Sequence, residues 1–511
     1  MKNKNENSEI HLELNEGPSI DAMVIEKLLD HIFMLETRLL HIESVTGKAL
    51  PTGKARKQGV VSLESQIRML RAELGRVNER AANMRLDRQF IVGAKRIKNK
   101  LLPPAQKKQK LSDLEEQRIK DRVKNTAMMT LDTDCAIICG AYPGGNRAYG
   151  GQFIKSRMDY YYKNGFTPTI IEASTQTREL IRHKVDGVDV LRVNVAGLQK
   201  VLRLSKFRSL GVHSIERPVW NIIKQDVDKV PLFVWVHGFE ARAWEELAFN
   251  FSEDELETLR PRLENANAER RQTMAEVMAH ENAQVIYVSN FMKSIAEEFA
   301  ESTAVNTHVI PNPVDPQVFP LSEKTAELRK SILWLRSFSA NNYASDISRD
   351  VLLGLSEKSW FPELKVTVIG QGKYFEEMTE PLRQFSNISI HEDTVDREQM
   401  RKLFHSHGVK LVPSRWDSQG LTACEAMHSG LVPLTSSVGG LREYTDTESA
   451  VIAELDDAQA LIDGYVDLYE NPDKYLKMSA AAHEKAAKTC GPVNTTDREI
   501  ALIKNTLGKK R

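Results

Sequence analysis

PSRWDSQGLTACEAMHSG, residues 413–430, is the stretch on which the reading of this chain turns. It continues the apolar run VKLV (409–412), so a strand ends at Pro413, a loop follows, and a helix begins near Gly420. Asp417 then stands on the lip of the loop and Glu425 about a turn into the helix. Two carboxylates at a strand-to-helix mouth can each accept hydrogen bonds from a pair of sugar hydroxyls. The first N–H groups of a helix have no acceptor within it, so those of Gly420, Leu421 and Thr422 suit a diphosphate.

Working outward, apolar runs of strand length recur on both sides. SILWLRS (331–337), KVTVIG (365–370), NISIH (387–391), VKLVPS (409–414), LVPLTS (431–436) and AVIAEL (450–455) fill the region 312–491. CAIICG (135–140), TIIEA (169–173), VDVLRV (188–193), PLFVWVH (231–237), QVIYVS (284–289) and THVIP (307–311) fill 130–311. Helical segments separate most of them, the alternation expected of parallel sheets with helices on both faces. The Pro-rich junction PNPVDP (311–316) divides the two sets. The expected fold class is therefore α/β, with two Rossmann-like domains facing a cleft and ligands outside the carboxyl ends of the strands. Residues 492–511 read as a further helix, with Thr496 or Asp497 at its cap.

Residues 1–125 read differently. Ile25, Leu28, Ile32, Leu35, Leu39 and Ile42 follow three- and four-residue steps, the seam of a heptad repeat. After Pro51-Thr52-Gly53 the pattern resumes from Val60 through Leu63, Ile67, Leu70, Leu74 and Val77 to Met84. Spacing alone fits a folded-back hairpin as well as a coiled coil joining two subunits or a partner protein. Between Arg85 and Lys110 nine Lys and Arg residues stand against the single Asp87, interleaved with Phe90, Ile91, Val92, Ile97, Leu101 and Leu102. Such a stretch suits peripheral contact with an anionic membrane, or a solvated basic linker.

Bulk composition excludes several classes. Lys+Arg and Asp+Glu are 70 each in 511 residues, so no net field points to nucleic acid. The four cysteines form no CxxC pair, against a disulfide framework or zinc site. The polar start MKNKNENSEI has no apolar core of a signal peptide, and no stretch approaches the ~20 apolar residues of a membrane span. A cytoplasmic protein is the expectation, with peripheral contact at the inner face of the membrane and a solvated linker both open for residues 85–110.

The segment 413–430 resembles the E-x7-E signature of family-4-like retaining glycosyltransferases of the GT-B fold, whose usual text is close to PS-x-x-E-x-F-G-x-x-x-x-E-A-M-x-x-G-x-P-V. The resemblance covers roughly residues 134–490. It implies a nucleotide-sugar donor, a glycan or lipid-linked acceptor, no cofactor and no metal, with 130–311 as the acceptor domain and 312–491 as the donor domain. Asp417, in place of the first Glu, would contact the donor sugar, and Glu425 the donor ribose. Val438-Gly439-Gly440-Leu441-Arg442-Glu443 looks like the family's G-G-x-x-E turn beside the donor, and Gly370-Gln371-Gly372 like its strand-ending G-x-G near the nucleotide. Gly150-Gly151 resembles the loop that reaches the donor from the other lobe. His237, past a strand end in VWVHGFEARAW (234–244), matches a His close to the donor sugar, with Glu240 orienting acceptor or donor. Arg336 fits the first of two cations that neutralise the departing diphosphate. The second, a Lys, falls at Asn341 or Asn342, which leaves Arg349 or Lys373 as substitutes. Two other readings stay open: a scaffold of a polysaccharide-assembly complex with a degenerate transferase domain, and another nucleotide-sugar enzyme on this fold, such as an epimerase.

Overall fold

In the computed structural model, residues 120–509 are described, apart from 122, 145–150 and 178. The heptad segments, the basic stretch and Gly150 lie outside the described residues.

The described chain builds two sheets. The first holds β1 (Cys135–Cys139), β2 (Thr169–Ser174), β3 (Ile181–Val185), β4 (Val188–Asn194), β5 (Ser209–His213), β6 (Leu232–Val236), β7 (Ala283–Tyr287) and β8 (Thr307–Val309), in the order β3-β4-β2-β1-β5-β6-β7-β8. The second holds β9 (Ser331–Leu335), β10 (Lys365–Gly370), β11 (Ile388–Glu392), β12 (Val409–Leu411), β13 (Val432–Ser436) and β14 (Val451–Ala453), in the order β11-β10-β9-β12-β13-β14. Every pairing is parallel except the β3–β4 hairpin. The central strands are buried on both faces, which is why CAIIC and LFVWV read as unbroken apolar runs.

Each expected apolar run is a strand, and two strands arise where none was expected. β3 alternates half-buried and exposed residues at the sheet edge and closes through Asp186-Gly187, both at positive φ (48° and 89°). That Asp-Gly turn is the one signal of the hairpin in the sequence. β5, SLGVH, carries a glycine where strand propensity is lowest. Any Cβ on Gly211 would stand 2.9 Å from the Trp235 ring and 3.1 Å from Ile137, so this strand fits between β1 and β6 only with glycine there.

In the first sheet the strand order reverses between β1 and β5, and in the second between β9 and β12. Those reversals open crevices at the carboxyl ends of the strands. The C-terminal helix Thr496–Lys509 returns to the first lobe. Its Glu499, fully buried, accepts from Arg157 Nε at 2.9 Å, Trp235 Nε1 at 2.7 Å and Tyr161 Oη at 2.6 Å. Asp497 accepts from Tyr160 Oη at 2.9 Å, a tertiary bond where the sequence suggested a cap. Arg157 Nη1 also donates to Asn312 in the junction at 2.9 Å.

Candidate active site

The segment 413–430 folds as its pattern predicts. β12 runs into a loop and the helix Leu421–His428 starts after Gly420, which sits at φ 80°. Asp417 Oδ1 accepts from the Gly420 amide at 2.6 Å and the Gln419 amide at 3.1 Å. One of the three amides expected to face a diphosphate is therefore used to close this turn. Leu421 and Thr422 follow in the first helical turn, where amides have no acceptor within the helix.

Arg336 stands just past β9, at the reversal in the second sheet, and is 8% exposed. Its Nη1 donates to Thr422 Oγ1 at 2.8 Å and its Nη2 to Ser414 Oγ at 2.7 Å. Its guanidinium carbon lies 4.8 Å over the Tyr343 ring, and Asp417 Oδ2 is 3.5 Å from Nη2. The guanidinium is thus held in one place by two hydroxyls and a ring, facing the carboxylate at the loop lip.

Glu425 lies 8% exposed in the same helix. Burial pushes its carboxyl above the ordinary range, and Arg397 and Lys410 oppose that shift. Lys410 is the second cation here, and sequence reasoning missed it. It lies in β12, 1% exposed, with Nζ donating to Thr422 O at 2.9 Å; burial lowers its ammonium to about 7. The available signal was a lysine inside VKLV, a run that must be a central strand and so cannot keep a charge without a partner. The substitutes named from sequence have partners of their own. Arg349 pairs with Asp350 at 2.8 Å, and Lys373 is exposed with Nζ 4.7 Å from the Tyr374 ring. Asn341 and Asn342 bridge the lobes, both amides donating to Asn250 Oδ1, at 2.6 and 3.2 Å.

The glycines serve close approach between protein backbones. A Cβ on Gly370 would collide with Arg336 O, and one on Gly372 with Phe338. On Gly439 it would collide with Asp417 O, and on Gly440 with Ser418 O. These four positions let the loops carrying Arg336 and Asp417 lie directly on their neighbours. Gly440 N also donates to Asp417 O at 2.9 Å, which fixes the loop's height. Gly151, at φ 72°, opens the helix Gln152–Lys163.

His237 follows β6, and the turn it opens meets this loop from the first lobe. A Cβ on the next residue, Gly238, would stand 3.2 Å from the Trp416 ring and 3.8 Å from Ser418 Cβ. Glu240 is 2% exposed and accepts from the His237 and Gly238 amides at 2.7 and 3.2 Å, so it shapes the turn that presents His237. Ser289 Oγ donates to Ser418 O at 2.6 Å. Glu443, of the G-G-x-x-E turn, accepts from the Asn290 and Phe291 amides at 2.9 and 2.7 Å, capping a helix of the other lobe. Asp417, Glu425, Arg336 and the Leu421–Thr422 helix start therefore gather at one reversal, and the His237 turn closes on the same loop.

Two sheets, parallel apart from one edge hairpin, and a terminal helix crossing back to the first of them decide the architecture. The fold is GT-B. Residues 350–485, within the second lobe, match the model of the family described as Glycosyl transferases group 1. No curated protein matches the chain in sequence. Among solved structures, sucrose-phosphate synthase of Thermosynechococcus elongatus is 15% identical with a TM-score of 0.57, covering 74% of this chain and all (100%) of its own. Anabaena HepE, solved with UDP and glucose, is 12% identical with a TM-score of 0.52, covering 72% of this chain and 98% of its own. The catalytic domain of Arabidopsis thaliana starch synthase IV, bound to ADP and acarbose, is 11% identical at TM-score 0.53, covering 74% and 100%. Among the described residues no helix is long and apolar enough to cross a membrane.

Proposed function

We propose that this GT-B protein is a retaining, metal-independent glycosyltransferase that moves a hexose from a nucleotide sugar to a glycan or lipid-linked acceptor in cell-surface polysaccharide synthesis. The observation that carries the proposal is the clamped Arg336, 3.5 Å from Asp417 and bonded to the first turn of the helix that holds Glu425. Negative charge grows on the diphosphate as the glycosidic bond breaks, and fixed donors aimed at it lower the barrier most. Arg336 and the amides of Leu421 and Thr422 supply those donors. Asp417 holds sugar hydroxyls, Glu425 holds the ribose, and His237 contacts the sugar from the other lobe. Gly151, Gly370, Gly372, Gly420, Gly439 and Gly440 line the donor path. The acceptor hydroxyl attacks the face the diphosphate leaves; its proton passes to the departing phosphate oxygen, and the anomeric configuration is retained.

Incubating the purified chain with a panel of nucleotide sugars, with and without glycan acceptors, tests this reading. Release of nucleotide from one donor, rising with acceptor and lost in Glu425→Ala, is the expected result. Equal turnover in mutant and wild type rejects the site. One observation favours the scaffold reading: the positions where a second phosphate cation was expected hold Asn341 and Asn342, and neither side chain carries charge. The absence of both donor hydrolysis and nucleotide binding would establish that reading instead.

The Lys410–Glu425 neighbourhood predicts a pH effect. Removing a cation beside a buried carboxylate makes ionisation harder, so its pKa rises further. In Lys410→Met the acid limb of donor binding therefore moves to higher pH, measured by titration calorimetry across the acid range. An unmoved limb separates Lys410 from Glu425.

The basic stretch 85–110 supports a cytoplasmic protein held at the inner face of the membrane, and the heptad segments support self-association or a protein partner. Flotation with anionic liposomes is expected to fail when residues 85–110 are deleted.

A further inference from the structure

A pocket of about 300 Å³ opens on the second lobe, lined by Pro320, Leu321, Ser322, Arg401, Lys402, His405 and Ser429. Arg401 and His405 stand four apart on the helix Arg397–Ser406, so they share one of its faces. The segment 320–322 forms a second wall, where Ser322 Oγ lies 2.8 Å from His405 Nδ1. The turn that ends the helix Leu421–His428 supplies Ser429. Gly430, at φ 82°, carries the chain out of that turn, and a Cβ there would stand 3.1 Å from Ser322 O. Three segments distant in sequence thus enclose one hollow.

Basic residues near a helix C-terminus often serve its unpaired carbonyls. Here those carbonyls have other donors. Lys324 Nζ donates to Phe404 O at 2.5 Å, His407 Nδ1 to Leu403 O at 2.8 Å, and His483 Nδ1 to His428 O at 2.6 Å. Arg401 is exposed and makes no hydrogen bond or ion pair among the described residues. Lys402 pairs with Glu398 at 2.8 Å, but those side chains are 68% and 66% exposed, so water screens the pair and a ligand can share the ammonium. Ser429 is only 2% exposed, yet its hydroxyl has no hydrogen-bond partner among the described residues. With Ser322 Oγ donating to Nδ1, His405 offers an N–H at Nε2. The pocket therefore holds four donor groups, and no acidic side chain lines it among the described residues.

We infer that this pocket binds a phosphoryl group, that of a small organic phosphate or of inorganic phosphate. A carboxylate offers two oxygens, whereas a phosphoryl group offers three, enough for a guanidinium fork together with a hydroxyl and an imidazole N–H. The volume suits a small ligand, and Pro320 with the half-exposed Leu321 adds an apolar wall for an organic body. The helix Leu421–His428 has 8 residues, so about 12 Å of helix separates Ser429 from the start that carries Leu421 and Thr422. The pocket is thus distinct from the donor cleft, at the far end of the helix that holds Glu425. Phosphate binding here needs no nucleotide sugar and stands apart from the transferase reading.

The test is isothermal calorimetry on the full chain at fixed ionic strength, with phenyl phosphate and inorganic phosphate as probes. Binding to the wild type is expected, weakened about tenfold in Arg401→Glu and about threefold in Ser429→Ala. To set aside phosphate in the donor cleft, the titrations are repeated in Arg336→Ala, where this binding should persist. Tighter binding of phenyl phosphate supports an organic phosphate seated on Pro320 and Leu321; equal or weaker binding supports inorganic phosphate. A wild type that binds neither probe overturns the inference. So does binding lost in Arg336→Ala but kept in Arg401→Glu, which assigns the phosphate to the donor cleft. An equal loss in Arg383→Glu, an exposed charge outside the pocket, also overturns it by reducing the effect to general surface charge. Should Ser429→Ala misfold, the exposed Arg401 still decides.

Discussion

Replacing Arg336 with alanine lowers turnover by about 10²–10³-fold, with a much smaller change in donor KM. The guanidinium is the cation fixed at the helix start, bonded to Thr422 and Ser414 and seated over Tyr343. A group positioned before the reaction meets the charge that grows on the leaving diphosphate, so its loss falls on the transition state more than on the bound donor. Lysine does not rescue it. An ammonium has no planar fork with which to bond Thr422 and Ser414 together and still present a donor to phosphate. Steady-state nucleotide release, compared with donor binding by calorimetry, separates kcat from affinity. A rate within about threefold of wild type would remove Arg336 from the mechanism. Circular dichroism of the variant checks that the buried substitution has not simply unfolded the lobe.

Glu499→Gln is expected to cost about 3–5 kcal/mol of stability, because it strands a buried charge. Glu499 and Arg157 both have wholly buried side chains, and the carboxylate also serves Tyr161 and Trp235. Glutamine keeps the shape but leaves a buried guanidinium without its counter-charge. It also turns one acceptor into a donor facing other donors. The urea midpoint should fall, and the C-terminal helix should lose amide protection ahead of the second sheet, as hydrogen exchange would report. A double-mutant cycle with Arg157→Met should show strong coupling, since removing both charges avoids the uncompensated one. A midpoint within experimental error of wild type would mean the pair contributes no net stability.

Much of the architecture is legible without coordinates. Twelve apolar runs in the sequence are twelve of the strands; the central ones are apolar along their length because both faces are covered, while the edge strands β8 and β11 are partly exposed. The strand-loop-helix at 413–430 is legible from its local pattern. β3 and β5 are not, one being a half-exposed edge strand and the other carrying a glycine demanded by its neighbours. The site is legible in part. Asp417 and Glu425 are read from the strand-loop-helix pattern and Arg336 from the family resemblance; Arg336 stands 3.5 Å from Asp417. Lys410 is hidden inside an apolar run. The helix of the first lobe that Glu443 caps is a partner only the fold brings to it.

From its sequence alone this chain determines what neighbours along the backbone can decide: period, turn chemistry, and the helix start that places Asp417 and Glu425 in order. Tertiary structure alone decided which groups share a charge. Arg157 meets Glu499 across 342 positions. The physical reason is that local pattern is written by sterics and burial, which act residue by residue. Ion pairs and glycine contacts depend on distances of a few ångströms between segments that only the folded sheets bring together.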